Sequence, residues 1–500
     1  RSDTTVTTQY LLAIDQGTSS SRTVIYDDRA TVVASAQQEF RQIYPEPGWV
    51  EHDPEEIWDS VRQVTREALV KAGIAIRDVA GIGITNQRET TVVWDRRSGE
   101  CIYNAIVWQD RRTAAYCREL GERCADDVVA GKTGLRLDPY FSATKVAWIL
   151  NNVDGARRLA DAGHLAFGTI DSFLLWRLTG GAVHATDATN ASRTMLFNIH
   201  KQAWDDELLE LLEIPASMLP DVLDCAAEFG VTREDAIDGA VPICGIAGDQ
   251  QAALIGQAGF EYGMTKSTYG TGCFAIANTG DTALTSHNQL LTTIASRIDG
   301  EVTYGLEGSV FVAGSALQWL RDELRIIDSA PESEQVAGRT GVVDDVYVVP
   351  AFAGLGAPYW DPDARGAIVG LSRGSGRDQV VTATLQAVAY QTRDLIDAMA
   401  DDGISPSVIR VDGGMVGNDW FLQFLADILG IRVERPVNVE STVLGAAYLA
   451  ALQCGLIDSL QQASQLWRCD AVFEPRMSAD QRDALLSGWA TAVARVRGAR

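Results

Sequence analysis

The sequence has few of the residues that build metal clusters and disulfide scaffolds. Its 500 residues include eight cysteines, no two of them at C-x-x-C spacing, and five scattered histidines. This spacing excludes a disulfide framework and a zinc site made of cysteine and histidine. No apolar run reaches the ~18 residues of a membrane-spanning helix, and residues 1–3 show no apolar signal segment. We therefore expect a protein of the reducing cytoplasm, without membrane insertion.

Lysine is scarce as well. Five lysines leave arginine to supply 37 of the 42 basic residues, against 67 acidic residues and a net charge of −25. This balance argues against nucleic-acid binding, because phosphate neutralisation needs clustered lysine and arginine. Any phosphate site must therefore carry its own local donors and a divalent cation. A GC-rich genome and adaptation to high salt would each produce this composition.

The chain is too long for one hydrophobic core, and one of its patterns recurs at half its length. Residues 10–26 have the pattern of two strands joined by a turn rich in glycine, threonine and serine. The same order recurs over residues 266–277, and the Gly-Thr pairs that begin at Gly17 and Gly270 lie 253 residues apart. The repeat predicts two topologically similar domains.

The first half alternates strand and helix patterns. Helical spacing covers residues 54–71, with Asp53 as a plausible N-cap, and residues 79–84 form a buried strand pattern. This order predicts an α/β fold with helices packed on a mixed sheet. We expect domains at 1–258 and 259–500, with a ligand cleft between them.

Two glycine-rich turns are candidate phosphate sites. Residues 15–21 offer backbone N–H groups and hydroxyls that can hold phosphate oxygens without lysine, and Asp15 at the strand end is a candidate Mg²⁺ ligand. Residues 412–418 join a strand to a helix, where glycines allow a flat ligand or a phosphate to approach the backbone. An ordinary loop is the other interpretation of each turn.

Other residues have the chemistry of a polyol site. Asp249 follows a buried strand and is a candidate general base for a hydroxyl proton, or a helix N-cap. Arg88 and Glu89 combine donors and acceptors that suit a polyol, although such a pair is also typical of a solvated surface. Trp108 and Phe274 are candidates for an apolar wall or for plain core.

Together these segments resemble the FGGY carbohydrate kinases, of the actin, hexokinase and sugar-kinase superfamily, from about Leu11 to about Gly455. The motifs that carry the resemblance are residues 13–22, 86–90, 108–112, 138–145, 248–251, 269–274 and 412–414. The Asn-Gln-Arg-Glu-Thr sequence at residues 86–90 is similar to that of the family members that act on glycerol.

The resemblance implies two RNase H-like domains of the actin/hexokinase type and MgATP-dependent phosphorylation of glycerol to sn-glycerol 3-phosphate, with Asp249 as general base. The glycerol-binding residues would be Arg88, Glu89, Trp108, Tyr140, Asp249, Gln250 and Phe274. The ATP-binding residues would be Thr18, Ser19, Ser20, Arg22, Thr271, Gly314, Gln318, Gly414, Met415 and Asn418. Asp15 and Asp249 would hold Mg²⁺, and the protein would be a homodimer or homotetramer.

Two departures from the family concern regulation. Ala240 stands where relatives that bind fructose 1,6-bisphosphate carry an arginine, and no histidine lies between residues 201 and 286 to serve as a phosphorylation site. We expect both controls to be absent.

Two other functions stay open. One is a different FGGY enzyme, such as a pentulose kinase. The other is a nonenzymatic, actin-like or chaperone-like assembly protein, which would not need the polyol-type residues Arg88, Glu89 and Trp108.

Overall fold

The computed structural model describes residues 9–123, 125–352, 354–361 and 363–497, so Cys124 lies outside the described residues. Contacts divide the chain into two compact units. The first unit comprises the residues up to Phe260 together with Thr293–Tyr304 and Ser441–Trp467, and the second comprises Glu261–Thr292, Gly305–Glu440 and the residues from Arg468 onward. Two segments that follow residue 258 in the chain thus belong to the first unit.

In the first half of the chain the longer strands belong to one main sheet, and the other strands are short. The strands of this half are β1 (Tyr10–Gln16), β2 (Ser20–Tyr26), β3 (Val32–Glu39), β4 (Glu51–His52), β5 (Val79–Asn86), β6 (Val92–Asp95), β7 (Ala105–Ile106), β8 (Leu165–Gly168), β9 (Ala185–Asp187), β10 (Phe197–Asn198), β11 (Ala203–Trp204), β12 (Asp221–Leu223), β13 (Ala226–Val231) and β14 (Pro242–Gly248).

The helices of this half are α1 (Pro54–Ala72), α2 (Ala114–Glu122), α3 (Asp126–Thr133), α4 (Ser142–Asn152), α5 (Ala156–Asp161), α6 (Ile170–Leu178), α7 (Ala188–Ala191), α8 (Asp206–Leu211), α9 (Glu234–Ile237) and α10 (Asp249–Gly256). Short 3₁₀ helices cover Ile76–Asp78 and Ala216–Met218. The predicted helix at residues 54–71 and its N-cap are confirmed, since the Asp53 side chain accepts a hydrogen bond from the backbone N–H of Glu55.

The main sheet of the first unit has six strands in the order β13-β14-β5-β1-β2-β3. Strand β1 pairs antiparallel with β2 and parallel with β5, which pairs parallel with β14. The central strand β1 carries a continuous apolar run from Leu11 to Ile14, as expected for a strand buried on both faces. The carboxyl ends of β1, β5 and β14 therefore share one edge of the sheet.

The second half of the chain repeats this arrangement. Its strands are β15 (Thr265–Tyr269), β16 (Cys273–Gly280), β17 (Leu291–Ile298), β18 (Glu301–Val310), β19 (Tyr347–Val349), β20 (Ala367–Val369), β21 (Val408–Asp412), β22 (Arg432–Pro436) and β23 (Cys469–Phe473). The main sheet runs β17-β18-β16-β15-β21-β22-β23, in which β15 pairs antiparallel with β16 and parallel with β21. The predicted similarity of the two domains in topology is confirmed.

The helices of this half are α11 (Gly314–Asp322), α12 (Glu332–Thr340), α13 (Arg377–Asp401), α14 (Asp419–Leu429), α15 (Ser441–Gln453), α16 (Leu460–Ser464) and α17 (Ala479–Arg497), with a 3₁₀ helix at Gly414–Gly417. The buried helix α13 contributes Leu385 and Tyr390 to the core of the second unit, where Tyr390 stacks on Trp489.

Helix α15 belongs to the first unit and covers one face of its sheet. Its side chains Ala447 and Leu449 share an apolar core with Leu11 of β1 and with Ala252 of α10. The two helices touch backbone to backbone, because a Cβ on Gly445 would lie 1.8 Å from the carbonyl oxygen of Ala252. Among the described residues, no helix has the length and apolarity to span a membrane.

Candidate functional site

Three charged side chains converge at the shared strand edge of the first unit. Arg88 and Glu89 follow β5 after one intervening residue, Gln87, and Asp249 directly follows its parallel neighbour β14. The Nε atom of Arg88 lies 3.3 Å from Oδ1 of Asp249 and 3.8 Å from Oε1 of Glu89. The side chains of Arg88 and Glu89 are each 2% exposed, whereas that of Asp249 is 31% exposed. This sheet-edge site thus places a solvent-reaching carboxylate beside a buried ion pair.

The burial of Arg88 and Glu89 decides between the two interpretations of that pair. A solvated surface pair is wrong, because neither side chain is at the surface. Asp249 is the first residue of α10 and Gly248 is the N-cap, so the alternative role of Asp249 as an N-cap is also wrong. Buried charges are retained only with partners. The buried Arg88–Glu89 pair therefore places fixed charges next to the partly exposed carboxylate of Asp249.

Glu89 adopts a left-handed backbone conformation, with φ of 61°. Its carbonyl oxygen accepts hydrogen bonds from Oγ of Ser142 at 2.8 Å and from Oγ1 of Thr91 at 3.0 Å. Such conformations cost about 1–3 kcal/mol in a residue other than glycine and persist where the surroundings hold them. Backbone strain of this kind is typical of functional sites, where a side chain must point in one direction.

Two aromatic side chains lie beside the charged groups. The hydroxyl of Tyr140 is 3.5 Å from Nη2 of Arg88, and the rings of Trp108 and Tyr140 have centroids 5.7 Å apart. The fully buried Lys145 fixes this loop, since its Nζ donates to the carbonyl oxygens of Pro139, Tyr140 and Phe141. Burial lowers the pKa of Lys145 to about 8. Trp108 and Tyr140 are called the aromatic wall below. The buried Lys145 fixes the loop that carries Tyr140.

A further buried arginine, Arg193, escaped the sequence analysis. Its Nε donates to Oε1 of Glu89 at 2.7 Å, and its Cζ lies 5.5 Å from the ring centroid of Tyr140. Gln251, also missed, accepts from Nη1 of Arg88 at 3.3 Å. Both residues belong to polar segments that sequence alone would place on the surface. The one available signal is the mostly polar segment 186–194, interrupted by Ala188 and Ala191, next to the apolar residues 195–197.

That polar run is buried behind the sheet edge. The Thr189 hydroxyl donates to Oδ2 of Asp187 at 2.6 Å and accepts from the backbone N–H of Gly248 at 2.9 Å, so the run fixes the backbone just before Asp249. The amides of Asn86 and Asn190 bond reciprocally, each Nδ2 lying 3.0 Å from the other Oδ1. Buried hydrogen-bond networks of this kind rigidify a core.

The turn between β1 and β2, residues 17–19, is called the first turn below. The N–H of Gly17 donates to the carbonyl of Ser20 at 2.9 Å, which closes it. Nε1 of Trp108 donates to Oγ1 of Thr18 at 2.9 Å, so the aromatic wall and the first turn are directly joined. Ser19 is exposed, and Thr18, Ser20 and Arg22 are half-buried. The structure thus leaves these polar groups within reach of a ligand.

Side-chain amides hold the carbonyl oxygens of the first turn. Nε2 of Gln87 donates to the Gly17 carbonyl at 3.2 Å, and Nε2 of Gln42 donates to the Thr18 carbonyl at 3.1 Å. His52 lies 2.8 Å from Oε1 of Gln42 through Nε2. Because that oxygen only accepts, Nε2 of His52 carries the proton. Burial lowers the pKa of His52 to about 4, so the ring is neutral near pH 7.

Asp15 and Asp249, the two predicted Mg²⁺ ligands, lie at the carboxyl ends of β1 and β14. Asp15 of β1 and Ala247 of β14 both pair with Thr85 of β5. Asp249 therefore lies two residues further along the shared strand direction than Asp15. With one strand between them, β1 and β14 are roughly 10 Å apart. Among the described residues no group of three or more His, Cys, Asp or Glu could hold a metal. Mg²⁺ does not need such a group of three ligands, because it binds through one or two carboxylates together with water and phosphate.

The second unit has an equivalent turn between β15 and β16, residues 270–272, called the second turn below. The N–H of Gly270 donates to the Gly272 carbonyl at 2.9 Å. The N–H groups of Gly314 and Ala313 donate to the carbonyls of Gly270 and Thr271, each at 2.9 Å. The N-terminus of α11 therefore packs on the second turn mainly through backbone groups, together with the Ser315 hydroxyl, which donates to the Thr271 carbonyl at 2.9 Å. Thr271 is exposed.

The remaining predicted nucleotide residues of the second unit lie near this turn or on its helices. A Cβ on Gly314 would lie 3.7 Å from Cγ of Met415, which places Gly414 and Met415 beside α11. Gln318 is exposed on α11. Asn418 is the N-cap of α14, with its Oδ1 accepting from the N–H of Phe421 at 2.8 Å.

Two predicted residues lie next to others already described. Phe274 is half-buried on β16, two residues after the second turn. Gln250 follows Asp249 and donates its backbone N–H to Oδ1 of that carboxylate at 2.7 Å.

A separate cavity of about 900 Å³ opens elsewhere on the first unit. Arg96, Arg177, Trp176 and Glu55 contribute to its lining, which includes none of the predicted site residues. Its arginines have partners of their own, such as Glu55 for Arg177. Size alone does not make this cavity the functional site.

Comparisons with known proteins identify the family. The model of the N-terminal domain of the FGGY family of carbohydrate kinases matches residues 10–256, and the model of the C-terminal domain matches residues 265–454. The chain is 60% identical over 490 residues to a glycerol kinase of Alteromonas mediterranea, covering 98% of this chain and 99% of that one. It is 61% identical over 490 residues, with the same coverage, to a glycerol kinase of Ectopseudomonas mendocina.

A solved structure agrees with these sequence matches. The crystal structure of Plasmodium falciparum glycerol kinase with ADP has a TM-score of 0.93 and 37% sequence identity, covering 98% of each chain. The two domain models together span most of the chain, and the curated relatives cover nearly all of it. The chain belongs to the FGGY family of carbohydrate kinases.

Proposed function

We propose that the protein transfers the γ-phosphoryl group of MgATP to glycerol, forming sn-glycerol 3-phosphate and ADP. The observation that carries the proposal is the partly exposed Asp249 carboxylate beside the buried Arg88–Glu89 pair. A triol offers hydroxyls that both donate and accept, so an arginine and a carboxylate together can orient it. The glycerol kinases to which the chain is similar support this choice of acceptor.

Asp249 is the proposed general base. Its carboxylate takes the proton of the attacking primary hydroxyl while the glycerol oxygen bonds to the γ-phosphorus and the bond to the β,γ-bridging oxygen breaks. The guanidinium of Arg88, 3.3 Å away, favours the ionised form of Asp249. Because phosphoryl transfer needs little covalent help from the protein, positioning supplies most of the rate.

Aromatic side chains complete the proposed glycerol site. Trp108 and Tyr140 offer a surface for the carbon skeleton, and the bond from Trp108 to Thr18 connects this surface to the first turn. Gln250 is proposed to reach a hydroxyl from its place next to Asp249. A role of Phe274 at the carbon skeleton stays a prediction.

Both turns are proposed to bind the nucleotide. Thr18, Ser19, Ser20 and Arg22 would contact phosphate oxygens from the first unit, and Thr271 from the second. Gly314, Gln318, Gly414, Met415 and Asn418 are proposed to border the rest of the nucleotide. Asp15 and Asp249 would hold Mg²⁺, which neutralises phosphate charge when bound.

The direct test measures ADP release with and without glycerol, and compares Asp249→Asn with the wild type. We expect glycerol-dependent ADP release in the wild type. The variant should keep its glycerol affinity in a titration while kcat falls by ~10²–10⁴, the range for loss of a general base. Asp238→Asn is the control, because Asp238 is an exposed partner of Arg66. Near-wild-type turnover by Asp249→Asn would refute its role.

Two further measurements address the other candidate functions. A panel of pentuloses and polyols with the same readout identifies a pentulose kinase if glycerol is a poor acceptor. Full-rate ATPase without glycerol, together with filament formation, would identify an assembly protein. Light scattering after gel filtration tests the proposed homodimer or homotetramer.

A further inference from the structure

Arg193 lies directly behind two of the proposed glycerol-binding side chains. It is fully buried, its Nε donates to Oε1 of Glu89 at 2.7 Å, and its guanidinium lies over the rings of Tyr140 and Phe141 at 5.5 and 5.3 Å. It follows helix α7, and its backbone N–H donates to the carbonyl of Asn190 at 3.0 Å. The residue is thus placed by a rigid polar segment and contacts the site through Glu89 and the aromatic rings.

The charges of the site alternate in a row that begins at Arg193. Arg193, Glu89, Arg88 and Asp249 follow one another at 2.7, 3.8 and 3.3 Å. Each internal member of the row contacts opposite charge on both sides. Removal of Arg193 would leave Arg88 as the neighbouring cation of Glu89 in this row and would pull Arg88 away from Asp249. The first cation of the row therefore influences groups that it does not touch.

Neighbouring residues hold both the backbone and the carboxylate of Glu89. Its backbone is in the left-handed region, and its carbonyl is held by hydroxyls of Ser142 and Thr91. Its carboxylate is held by Arg193. A carboxylate fixed by a charge-assisted hydrogen bond keeps one direction for its remaining lone pairs. Those lone pairs are what a hydroxyl donor would recognise.

We infer that Arg193 is a positioning residue for polyol recognition, which fixes the Glu89 carboxylate as an ionised acceptor and seats the Tyr140 ring beside it. The inference rests on the proposed function and deepens its site. Arg193 does not touch the polyol; it acts through Glu89 and Tyr140. Its effect should therefore appear in polyol binding and be small in nucleotide binding.

The first experiment compares Arg193→Met and Arg193→Lys with the wild type in glycerol-dependent ADP release. We expect the glycerol KM of Arg193→Met to rise about 100-fold, as for loss of a buried charge-assisted hydrogen bond. At saturating glycerol, kcat should fall less than about tenfold, and the ATP KM should change less than about threefold. Arg193→Lys keeps the charge without the planar guanidinium, so it should restore part of the glycerol affinity.

Arg177→Met is the matched control. Arg177 also pairs with a carboxylate, Glu55, and lies over an aromatic ring, that of Phe173 at 4.9 Å. Among the described residues, its side-chain hydrogen bonds, ion pair and ring contact are with Glu55, Gly99 and Phe173, none of which is a proposed glycerol-binding residue. We expect Arg177→Met to lower the melting temperature with no change in glycerol KM. An equal rise in glycerol KM in both variants would reduce Arg193 to a structural role and overturn the inference.

A double-mutant cycle with Glu89→Gln separates action through Glu89 from general damage. If Arg193 acts through Glu89, Arg193→Met should add less than about threefold to the glycerol KM of Glu89→Gln. Multiplicative effects would overturn the inference. If Arg193→Met does not fold, Arg193→Lys takes its place in the cycle, because it keeps the buried charge but lacks the planar guanidinium.

Failure of the proposed function would look different. A wild type that phosphorylates another polyol overturns glycerol as substrate, and the same cycle measured with that polyol then decides the role of Arg193. Isothermal titration that detects no polyol binding at all would overturn both. A glycerol-dependent wild type whose glycerol KM is unchanged in Arg193→Met overturns the inference alone.

Discussion

The two turns have the same place in the topology but are held in different ways. Side chains from three separate segments, Gln42, Gln87 and Trp108, bond to the first turn. One segment, the N-terminus of α11, bonds to the second turn, through the backbone N–H groups of Ala313 and Gly314 and the hydroxyl of Ser315. A duplicated topology thus fixes where a turn lies, while the means of holding it has diverged between the two units.

This difference predicts different weaknesses. A turn held by side chains should be sensitive to the substitution of distant residues that lie far from it in sequence. The second turn, held mostly by backbone groups of α11, should tolerate such changes. It should be sensitive to any atom added where α11 approaches it most closely. In the second turn that point is Gly314, where a Cβ would lie 2.6 Å from the Gly270 carbonyl oxygen.

The largest expected effect is therefore that of Gly314→Ala. The added methyl group must push α11 away from the second turn, and a displacement of about 1 Å can lower a rate ~100-fold. We expect kcat/KM for ATP to fall by that order. Gly338→Ala is the control, because Gly338 is an exposed residue of α12 where a Cβ meets nothing within 4 Å. Equal losses in the two variants would show that close packing is not what holds the second turn.

Gln87→Leu tests the side-chain support of the first turn. Gln87 is buried and donates to Oε1 of Gln16 and to the Gly17 carbonyl. Leaving these acceptors without their donor should cost about 1–3 kcal/mol of unfolding free energy and raise the ATP KM several-fold. Chemical denaturation and steady-state kinetics measure the two effects. Gln63→Leu, at an exposed position on α1, should change stability by less than about 0.5 kcal/mol.

The smallest effect concerns pH and His52. Its pKa is lowered from 6.5 to about 4 by burial, so between these values the unfolded chain binds a proton that the folded chain excludes. The stability due to the neutral ring is present above about pH 6.5 and is lost as the pH falls toward 4. His52→Asn should reduce this slope in thermal unfolding and should also raise the ATP KM at pH 7.

His184→Asn provides the comparison for His52. Burial lowers the pKa of His184 to about 4 as well, but its Nε2 bonds to the Phe167 carbonyl and not to the support of the first turn. We expect the same loss of pH slope with no change in ATP KM. A raised ATP KM in both variants would mean that the kinetic effect reports general destabilisation.

The sequence predicted the features that local chemistry determines. The hairpins around Gly17 and Gly270 follow from apolar runs that are interrupted by turn residues. The start of α1 follows from the capping chemistry of Asp53. The positions of Arg88 and Asp249 after buried strands follow from the apolar runs that precede them, whereas their place in one site was implied by the resemblance. Each of these signals lies within about ten residues of the feature that it predicts.

The sequence did not reveal the features that depend on distant contacts. Arg193 and Gln251 are polar, and polarity alone predicts exposure, so nothing local marks them as buried partners of Glu89 and Arg88. The support of the first turn by Gln42 and Gln87 joins three segments that only the sheet brings together. Polar residues within a core are where patterns of hydrophobicity carry least information.

The position of α15 has a consequence for synthesis. The ribosome makes Ser441–Gln453 after β1 and α10, yet this helix covers the sheet that contains β1. Until the helix emerges, Leu11 and its apolar neighbours lack their cover, and the groove that receives Gly445 at Ala252 stands open. The first unit therefore cannot complete its core before this helix has been made.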